Sequence, residues 1–352
     1  MRAIPPEVLD TPAAWRGPGL AGDWIETLAP GLVAELEDAA RAAQQAGTAP
    51  EALTARDFDG PLLARASDRW LAELGEGRGF LLLRGLPVGR WGDALSSLAC
   101  LGIGLSMGSL ASQNAAGDRL GHVRDTGADP NDPAVRLYKT REPQPFHTDG
   151  ADVIGLLCLR PAKSGGASRI VSSTTVVAEV QRRRPDLVPL LFEPFHFDRN
   201  EEQGPGEAPT FQLPIAHVAD GRLRVFYIGW YIRGAQRHTS VPRLTPAQNE
   251  LLDLIDALAA SPELCLPMEF RPGDVQLLKN ASILHARDGY TDWDQPARKR
   301  HLLRFWVAAR SDFAGSADLL RGGIPAREGA ASDREALKAG KVDSGAEPAF
   351  LR

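Results

Sequence analysis

His147 and Asp149 stand two residues apart, and a second histidine, His285, follows far along the chain. Two histidines and one carboxylate form the facial triad that binds iron(II) and leaves positions open for substrate and oxygen. Alternate side chains of a strand point to the same face, so His147 and Asp149 can bind one metal ion while Thr148 points away. The sequence therefore predicts a metal site whose third ligand must be supplied by a distant strand.

Two arginines, Arg300 and Arg304, follow the last candidate ligand in a segment that reads as a strand. Positions four apart in a strand share a face, so both guanidinium groups would point into the same interior. A buried guanidinium is costly unless an anion pairs with it, and a carboxylate can accept two parallel hydrogen bonds from it. The segment predicts anion binding near the metal. Which arginine holds which anion stays open, because the loop after His285 could shift the register.

The elements that must position these residues are mostly short strands. Apolar runs such as 153–159 and 302–308, separated by turns, indicate buried strands. Residues 136–140 also read as a strand, and the Gly-rich stretch 109–130 reads as a long functional loop before the metal motif. Residues 245–260 favour a helix that opens on a threonine cap and a proline. The prediction is an α+β fold, mainly β with helical decoration, around a jelly-roll core.

The length of 352 residues allows one large domain with insertions or two smaller domains. We expect residues 1–78 to form an N-terminal helical extension that packs on the core. Residues 79–313 would form the catalytic barrel, with a helical or lid insertion at about 174–265. Residues 314–352 would form a C-terminal tail.

Composition limits the possible partners. The net charge is −5 and the pI is about 5.9, so no nucleic-acid-binding face is expected. No apolar run approaches the length of a membrane span, and the N-terminus lacks the apolar core of a signal peptide. The three cysteines show no paired spacing, which fits a reducing compartment. These features predict a cytoplasmic protein that acts on a small molecule without a nucleic-acid or membrane partner. A homo-oligomer is compatible with them.

The chain resembles the TauD/TfdA-like family of iron(II)/2-oxoglutarate-dependent dioxygenases over most of its length, from roughly Phe80 to Arg310. The resemblance is carried by Phe146-His147-Thr148-Asp149, Gly165-Gly166-Ala167-Ser168, Pro272-Gly273-Asp274, the segment 280–285 and the segment 300–306. It implies a double-stranded β-helix of the jelly-roll or cupin-like kind. It also implies iron(II) as the metal, with His147, Asp149 and His285 as its ligands.

The same resemblance implies that 2-oxoglutarate and O2 are cosubstrates. Arg300 and Ser168 stand where family members bind the distal carboxylate of 2-oxoglutarate. Arg304 matches a position that binds an anionic group of the prime substrate in some members. Asp149 places the chain among oxygenases, because halogenating relatives carry a small residue there.

The expected reaction is hydroxylation, or desaturation, of an unactivated C–H bond with release of succinate and CO2. The expected substrate is a small anionic metabolite or natural-product intermediate that bears a carboxylate, sulfonate or phosphate. We expect Arg304, Asn114, Arg124 and Tyr138 to contact it.

Two other classes of protein use a similar metal site. A non-catalytic metal- or ligand-binding protein on the same barrel would keep the fold while losing Arg300 or the cosubstrate pocket. A zinc-dependent hydrolase would use the same three ligands with a metal-bound water. The sequence shows no obvious additional glutamate beside the triad to serve as its general base.

Overall fold

The computed structural model describes residues 3–310 except 131, 133, 134 and 205, and in addition Phe313 and Ile324. The predicted C-terminal tail, 314–352, lies outside the described residues apart from Ile324. No helix in the described ranges is both long enough and apolar enough to cross a membrane.

The helices and strands run through the whole described chain. The α-helices are α1 (Pro6–Leu9), α2 (Pro30–Gln45), α3 (Pro61–Glu76), α4 (Val88–Met107), α5 (Ser173–Arg183), α6 (Gly229–Gly234) and α7 (Pro246–Ala260). The strands are β1 (Ile25–Thr27), β2 (Phe80–Arg84), β3 (Gly108–Ala111), β4 (Gly121–Val123), β5 (Gln144–His147), β6 (Val153–Arg160), β7 (Ser164–Gly165), β8 (Ser168–Ser172), β9 (Pro194–Asp198), β10 (Thr210–Pro214), β11 (Ala216–Ala219), β12 (Arg222–Val225), β13 (Leu266–Met268), β14 (Val275–Lys279), β15 (Ile283–Arg287), β16 (Tyr290–Thr291) and β17 (His301–Ala309).

Two sheets form the barrel. The larger sheet has the strand order β1-β2-β14-β6-β17-β3, with β4 also paired to β17, and the smaller sheet has the order β13-β8-β15-β5. Phe80, Ile154 and Trp306 of the larger sheet share one apolar cluster with Ile170 and Ile283 of the smaller sheet. The sheets therefore pack face to face, and the predicted jelly-roll core with helical decoration is confirmed.

Strand β17 shows how the sequence separates the outer face of the larger sheet from the interior. Leu303, Phe305 and Val307 pack in the cluster that contains apolar residues of α2, α3 and α4. Arg304 and Trp306 alternate with them and so point to the opposite face, toward the smaller sheet. The alternation of side chains along β17 therefore points the charged side chain of Arg304 into the barrel.

Helices and small hairpins back the smaller sheet. Between β8 and β13 the chain forms α5, β9 to β12, α6 and α7. Val176 of α5 and Leu251 of α7 share an apolar cluster with Leu284 of β15. Ile4 and Val8 of the N-terminal segment join the same cluster. The inserted segment therefore supports the strand that carries His285.

The capping signals in the sequence predicted the start of α7 correctly, but the strand predicted just before the metal motif is absent. The Thr245 hydroxyl accepts a hydrogen bond from the backbone N–H of Gln248 at 3.2 Å, and Pro246 opens α7, as predicted. The strand predicted at 136–140 is wrong, because Leu137–Lys139 form a 3₁₀ turn. The Thr140 hydroxyl donates to the Leu137 carbonyl at 3.0 Å, and such local bonds compete with strand pairing.

A buried ion pair fixes the turn before β14. The Asp274 carboxylate is fully buried and accepts two hydrogen bonds from Arg84, at 2.9 and 2.8 Å. It also accepts the backbone N–H of Arg271 at 2.9 Å. Gly273 has a φ of 87°, and a Cβ there would lie 1.9 Å from the carbonyl oxygen of Leu86. This turn therefore locks β14 against β2.

Asp274→Ala is expected to lower the free energy of unfolding by about 3 kcal/mol, because it leaves Arg84 without its buried partner. Urea unfolding followed by circular dichroism measures the change. The matched control is Asp68→Ala, which removes an exposed carboxylate paired with Arg310 and should cost less than about 1 kcal/mol. Equal losses in the two variants would contradict a structural role for the buried pair.

Candidate metal centre and active-site cavity

The three predicted ligands meet at one end of the smaller sheet. His147 is the last residue of β5 and lies directly opposite His285 in the β5–β15 ladder. Asp149 follows just beyond the strand and is buried like both histidines. Nε2 of His285 lies 3.6 Å from Oδ2 of Asp149, and Nε2 of His147 lies 3.9 Å from Oδ1. One ligand atom from each residue can be chosen so that all lie within 4.8 Å of one another.

The protonation state of His147 suits a metal ligand. Nδ1 lies 2.8 Å from the carbonyl oxygen of Pro145, which can only accept, so the ring proton is assigned to Nδ1. Burial, and then the neighbouring His285, lower the pKa of His147 to about 3. The neutral ring keeps the Nε2 lone pair available for a metal ion. The amide nitrogen of Gln144 lies 3.1 Å from this atom and would have to give way to the ion.

Asp149 is held as an ionised carboxylate. Burial alone would raise the pKa of Asp149, but the Arg304 guanidinium and the two histidines outweigh burial and hold that pKa well below its usual range. Nη1 of Arg304 lies 3.4 Å from Oδ2, and the indole N–H of Trp306 donates to the same oxygen at 3.1 Å. Two imidazoles and one carboxylate are the donor set that iron(II) takes in facial-triad sites, so these residues fit that ion.

The backbone around Asp149 is fixed from both sides. The Asn280 side chain accepts the N–H of Asp149 at 2.7 Å and donates to its carbonyl oxygen at 2.6 Å. Thr148 is buried, and its N–H donates to the carbonyl of Tyr227 at 2.8 Å. Thr148 thus points away from the ligands, as the spacing predicted. The sequence matched Asn280 to a family segment but did not indicate this positioning role.

A cavity opens beside the three residues, between the two sheets. It is lined by Val123, Tyr138, Gln144, His147, Leu156, Ser168, Phe270, His285, Ala286, Arg287, Arg300, Leu302 and Arg304. Among these described lining residues there are three arginines and no aspartate or glutamate. Because buried guanidinium groups need anions, the lining favours a negatively charged occupant.

The two residues predicted to hold the cosubstrate lie together in this cavity. Arg300 is 3% exposed, and its Nη1 has no hydrogen-bond partner in the described structure. Burial lowers the pKa of Arg300, and the opposing attraction of Tyr290, Cys158 and Asp292 offsets that effect only in part. The Ser168 hydroxyl accepts a hydrogen bond from the Gln276 amide at 3.1 Å. Their predicted contact with 2-oxoglutarate stays a prediction.

Arg304 is held rigidly at the metal side of the cavity. Its Nε donates to the Gln113 side-chain oxygen at 2.7 Å, and the Gln113 amide donates back to the Arg304 carbonyl at 2.8 Å. The guanidinium carbon lies 4.9 Å from the ring centroids of both Tyr138 and Trp306. The sequence analysis did not single out Gln113, although this residue immediately precedes Asn114. Trp306 could have been found by its spacing of two from Arg304.

The four predicted substrate contacts separate into two pairs. Arg304 and Tyr138 line the cavity, whereas Asn114 and Arg124 are not among its described lining residues. The side-chain oxygen of Asn114 accepts the backbone N–H groups of Ala116 and Asp118, at 3.0 and 3.2 Å, and so closes a local turn. Val123 faces the cavity from the end of β4, so the alternation of strand side chains turns Arg124 away.

Asn280→Ala is expected to weaken iron(II) binding about ten- to hundredfold, the usual effect of losing a group that orients a metal ligand. The reason is that both backbone polar groups of Asp149 lose their partner. Anaerobic competition with a chelator measures the dissociation constant. Asn249→Ala is the control, because Asn249 is exposed and bonds only to carbonyls near the start of α7. Unchanged affinity in Asn280→Ala would exclude the positioning role.

Known proteins resemble the chain in sequence. The family model described as "Taurine catabolism dioxygenase TauD, TfdA family" matches residues 43–306. The FR-33289 synthase of Streptomyces rubellomurinus (strain ATCC 31215) is 31% identical over 303 residues, covering 82% of this chain and 86% of the relative. A uridine-5'-phosphate dioxygenase of a Streptomyces species is 28% identical over 185 residues, covering 48% of this chain and 62% of the relative.

Among solved structures, an asparagine oxygenase in complex with Fe(II), 2S,3S-3-hydroxyasparagine and succinate has a TM-score of 0.63 and 17% identity. The similarity covers 81% of this chain and 93% of that chain, and at this identity it supports the fold. The family match spans both sheets of the barrel and every candidate ligand. The chain therefore belongs to the TauD, TfdA family, the iron(II)- and 2-oxoglutarate-dependent dioxygenases that its sequence resembles.

Proposed function

We propose that the protein is an oxygenase that uses iron(II) and 2-oxoglutarate to hydroxylate, or desaturate, an unactivated C–H bond of a small anionic metabolite or natural-product intermediate. The observation that carries the proposal is the convergence of His147, Asp149 and His285 on a cavity lined by arginines. A metal and a dianionic cosubstrate would together satisfy the donors and charges that this cavity leaves open.

Iron(II) at the three ligands would supply the redox chemistry that couples O2 reduction and 2-oxoglutarate decarboxylation to substrate oxidation. In a hydroxylation one oxygen atom enters succinate and the other enters the product. The protein's own part is positioning. Asn280 and Trp306 orient Asp149, and the apolar clusters on both sides of the sheets exclude water.

The cosubstrate is assigned to the end of the cavity that contains Arg300 and Ser168. The unpartnered Nη1 of Arg300 offers hydrogen-bond donation to a carboxylate, and the Ser168 hydroxyl lines the same space. The asparagine oxygenase of similar fold holds Fe(II) and succinate, the product expected from 2-oxoglutarate. This supports a cosubstrate subsite in the same barrel architecture.

The prime substrate is assigned to the side of Arg304 and Tyr138. Gln113 and Asp149 engage Nε and Nη1 of Arg304, while Nη2 makes no hydrogen bond within the described chain. That nitrogen can donate to a carboxylate, sulfonate or phosphate of the substrate. A relative whose name specifies uridine-5'-phosphate supports an anionic substrate class.

Neither alternative function has a specific observation in its favour. An idle ligand-binding barrel would be expected to have lost the cosubstrate cation, yet Arg300 is buried and lines the same cavity as His147 and His285. A zinc hydrolase needs a general base near the metal-bound water. The described cavity lining contains no aspartate or glutamate that could serve as this base.

Arg300→Ala and Arg304→Ala should have different effects. Arg300→Ala should raise the KM for 2-oxoglutarate at least about tenfold, since it removes a charged hydrogen-bond partner. Arg304→Ala should weaken anaerobic 2-oxoglutarate binding less than Arg300→Ala does, while it abolishes the stimulation of succinate release by the prime substrate. Succinate formation from 2-oxoglutarate, measured across a panel of carboxylates, sulfonates and phosphates, tests both effects.

Two results would count against this assignment. If only Arg304→Ala abolished 2-oxoglutarate binding, the roles of the two arginines would be reversed. If zinc supported hydrolytic activity without 2-oxoglutarate, the oxygenase proposal itself would fail.

A further inference from the structure

Arg287 is a third cavity arginine, which neither the sequence prediction nor the proposed function uses. It lies two residues after His285 on β15 and is directly opposite Ser168 in the β15–β8 ladder. The side chain lines the cavity, and the residue is only 6% exposed. Arg287 therefore sits at the same end of the barrel as the serine assigned to the cosubstrate.

Most of the hydrogen-bonding capacity of Arg287 is unused. Its Nη2 donates to the carbonyl oxygens of Leu137 and Glu142, which ties β15 to the chain before the metal motif. Its Nε and Nη1 are buried and have no hydrogen-bond partner in the described structure. Buried donors without partners are rare in folded proteins, so these two nitrogens indicate a missing acceptor.

Arg287 and Arg300 approach the same aromatic ring. Their guanidinium carbons lie 5.1 and 5.0 Å from the ring centroid of Tyr290. Two buried like charges beside the same ring destabilise each other unless an anion lies between or beside them.

The acidic groups nearby do not supply that anion. Asp125 and Glu142 attract Arg287, and Asp292 attracts Arg300, but none of these carboxylates forms an ion pair with either arginine in the described structure. The Asp292 carboxylate accepts the backbone N–H of Arg300 at 2.7 Å instead. The Asp125 carboxylate accepts the backbone N–H of Gly127 at 2.9 Å.

We infer that Arg287 is a second cationic contact for the distal carboxylate of the 2-oxo acid and makes the site selective for dicarboxylic cosubstrates. The inference rests on the proposed function. A carboxylate has about four acceptor positions, enough for Arg300, Arg287 and the Ser168 hydroxyl together. Arg304 is four residues from Arg300, which immediately precedes β17, and four residues of extended chain span up to roughly 13 Å, so we assign Arg304 to a different anion.

A purely structural role makes a different prediction. If Arg287 only clamped the chain at 137–142 to β15, its loss would weaken every ligand of the cavity through a shift of that segment. If it contacts the distal carboxylate, its loss would weaken only cosubstrates that possess this group. The comparison of 2-oxoglutarate with 2-oxopentanoate, which has a methyl group in place of the distal carboxylate, separates the two roles.

The experiment is anaerobic calorimetry of the iron(II)-loaded protein with each oxo acid. Arg287→Gln should weaken 2-oxoglutarate binding about ten- to hundredfold, as expected for a hydrogen bond to a charged group, and leave 2-oxopentanoate binding within about twofold. Arg287→Lys, which restores the charge, should recover part of the selectivity. Arg169→Gln is the control, because Arg169 pairs with the half-exposed Asp288 and is not among the described residues that line the cavity.

The outcomes distinguish this inference from the proposed function. Equal weakening of both oxo acids in Arg287→Gln, or no change in either, would overturn the role of Arg287 while leaving the oxygenase intact. If Arg287→Gln does not fold, Arg287→Lys must still lose some preference for 2-oxoglutarate, or the inference fails. If the iron-loaded wild-type protein binds neither oxo acid, the proposed function fails and the inference falls with it.

Discussion

The Asp149 carboxylate is the anion on which the interior of the barrel depends. Arg304 and Trp306 hold its oxygens, and Asn280 holds the backbone on both sides of its side chain. Without this negative charge, Arg304 would be a buried cation with no counter-ion, and the two histidines would lose their common partner. The metal ligands are thus positioned by the same contacts that make the core of the protein stable, which preorganises the centre for an ion.

The charge balance of the cavity follows from this constraint. Asp149 compensates Arg304, but Arg287 and Arg300 remain without a bonded carboxylate at the other end. Arg304, beside the metal ligands, already has Asp149 as its counter-ion. Arg287 and Arg300, farther from the ligands, still need an anion. An oxo acid that spans the distance from the iron to a remote cation fits this arrangement. We propose that the prime substrate binds on the side of Arg304, where Gln113 and Tyr138 hold the guanidinium in place.

Sequence patterns predicted the parts of the site that depend on local spacing. The spacing of two brought His147 beside Asp149, although Asp149 lies just beyond β5. Arg300 and Arg304 line one cavity as expected, although Arg300 lies just before β17. The residues that were missed act through partners distant in the chain. Gln113 contacts Arg304 because β3 and β4 pair with β17. Asn280, between β14 and β15, contacts Asp149 because these strands lie beside the segment that follows β5. No local pattern encodes such pairings. The 3₁₀ turn at Leu137–Lys139 was missed for a different reason, because the local hydrogen bond from the Thr140 hydroxyl to the Leu137 carbonyl competes with strand pairing.

Iron(II) and 2-oxoglutarate binding at the His147–Asp149–His285 centre is tested most directly by anaerobic titration of the purified protein with both components. The signal is the weak visible charge-transfer band of the iron–oxo acid chelate. We expect the band only when iron(II) and 2-oxoglutarate are both present, and we expect His147→Ala to abolish it. Iron binding without a band, or a band that persists in His147→Ala, would contradict the assignment of this centre.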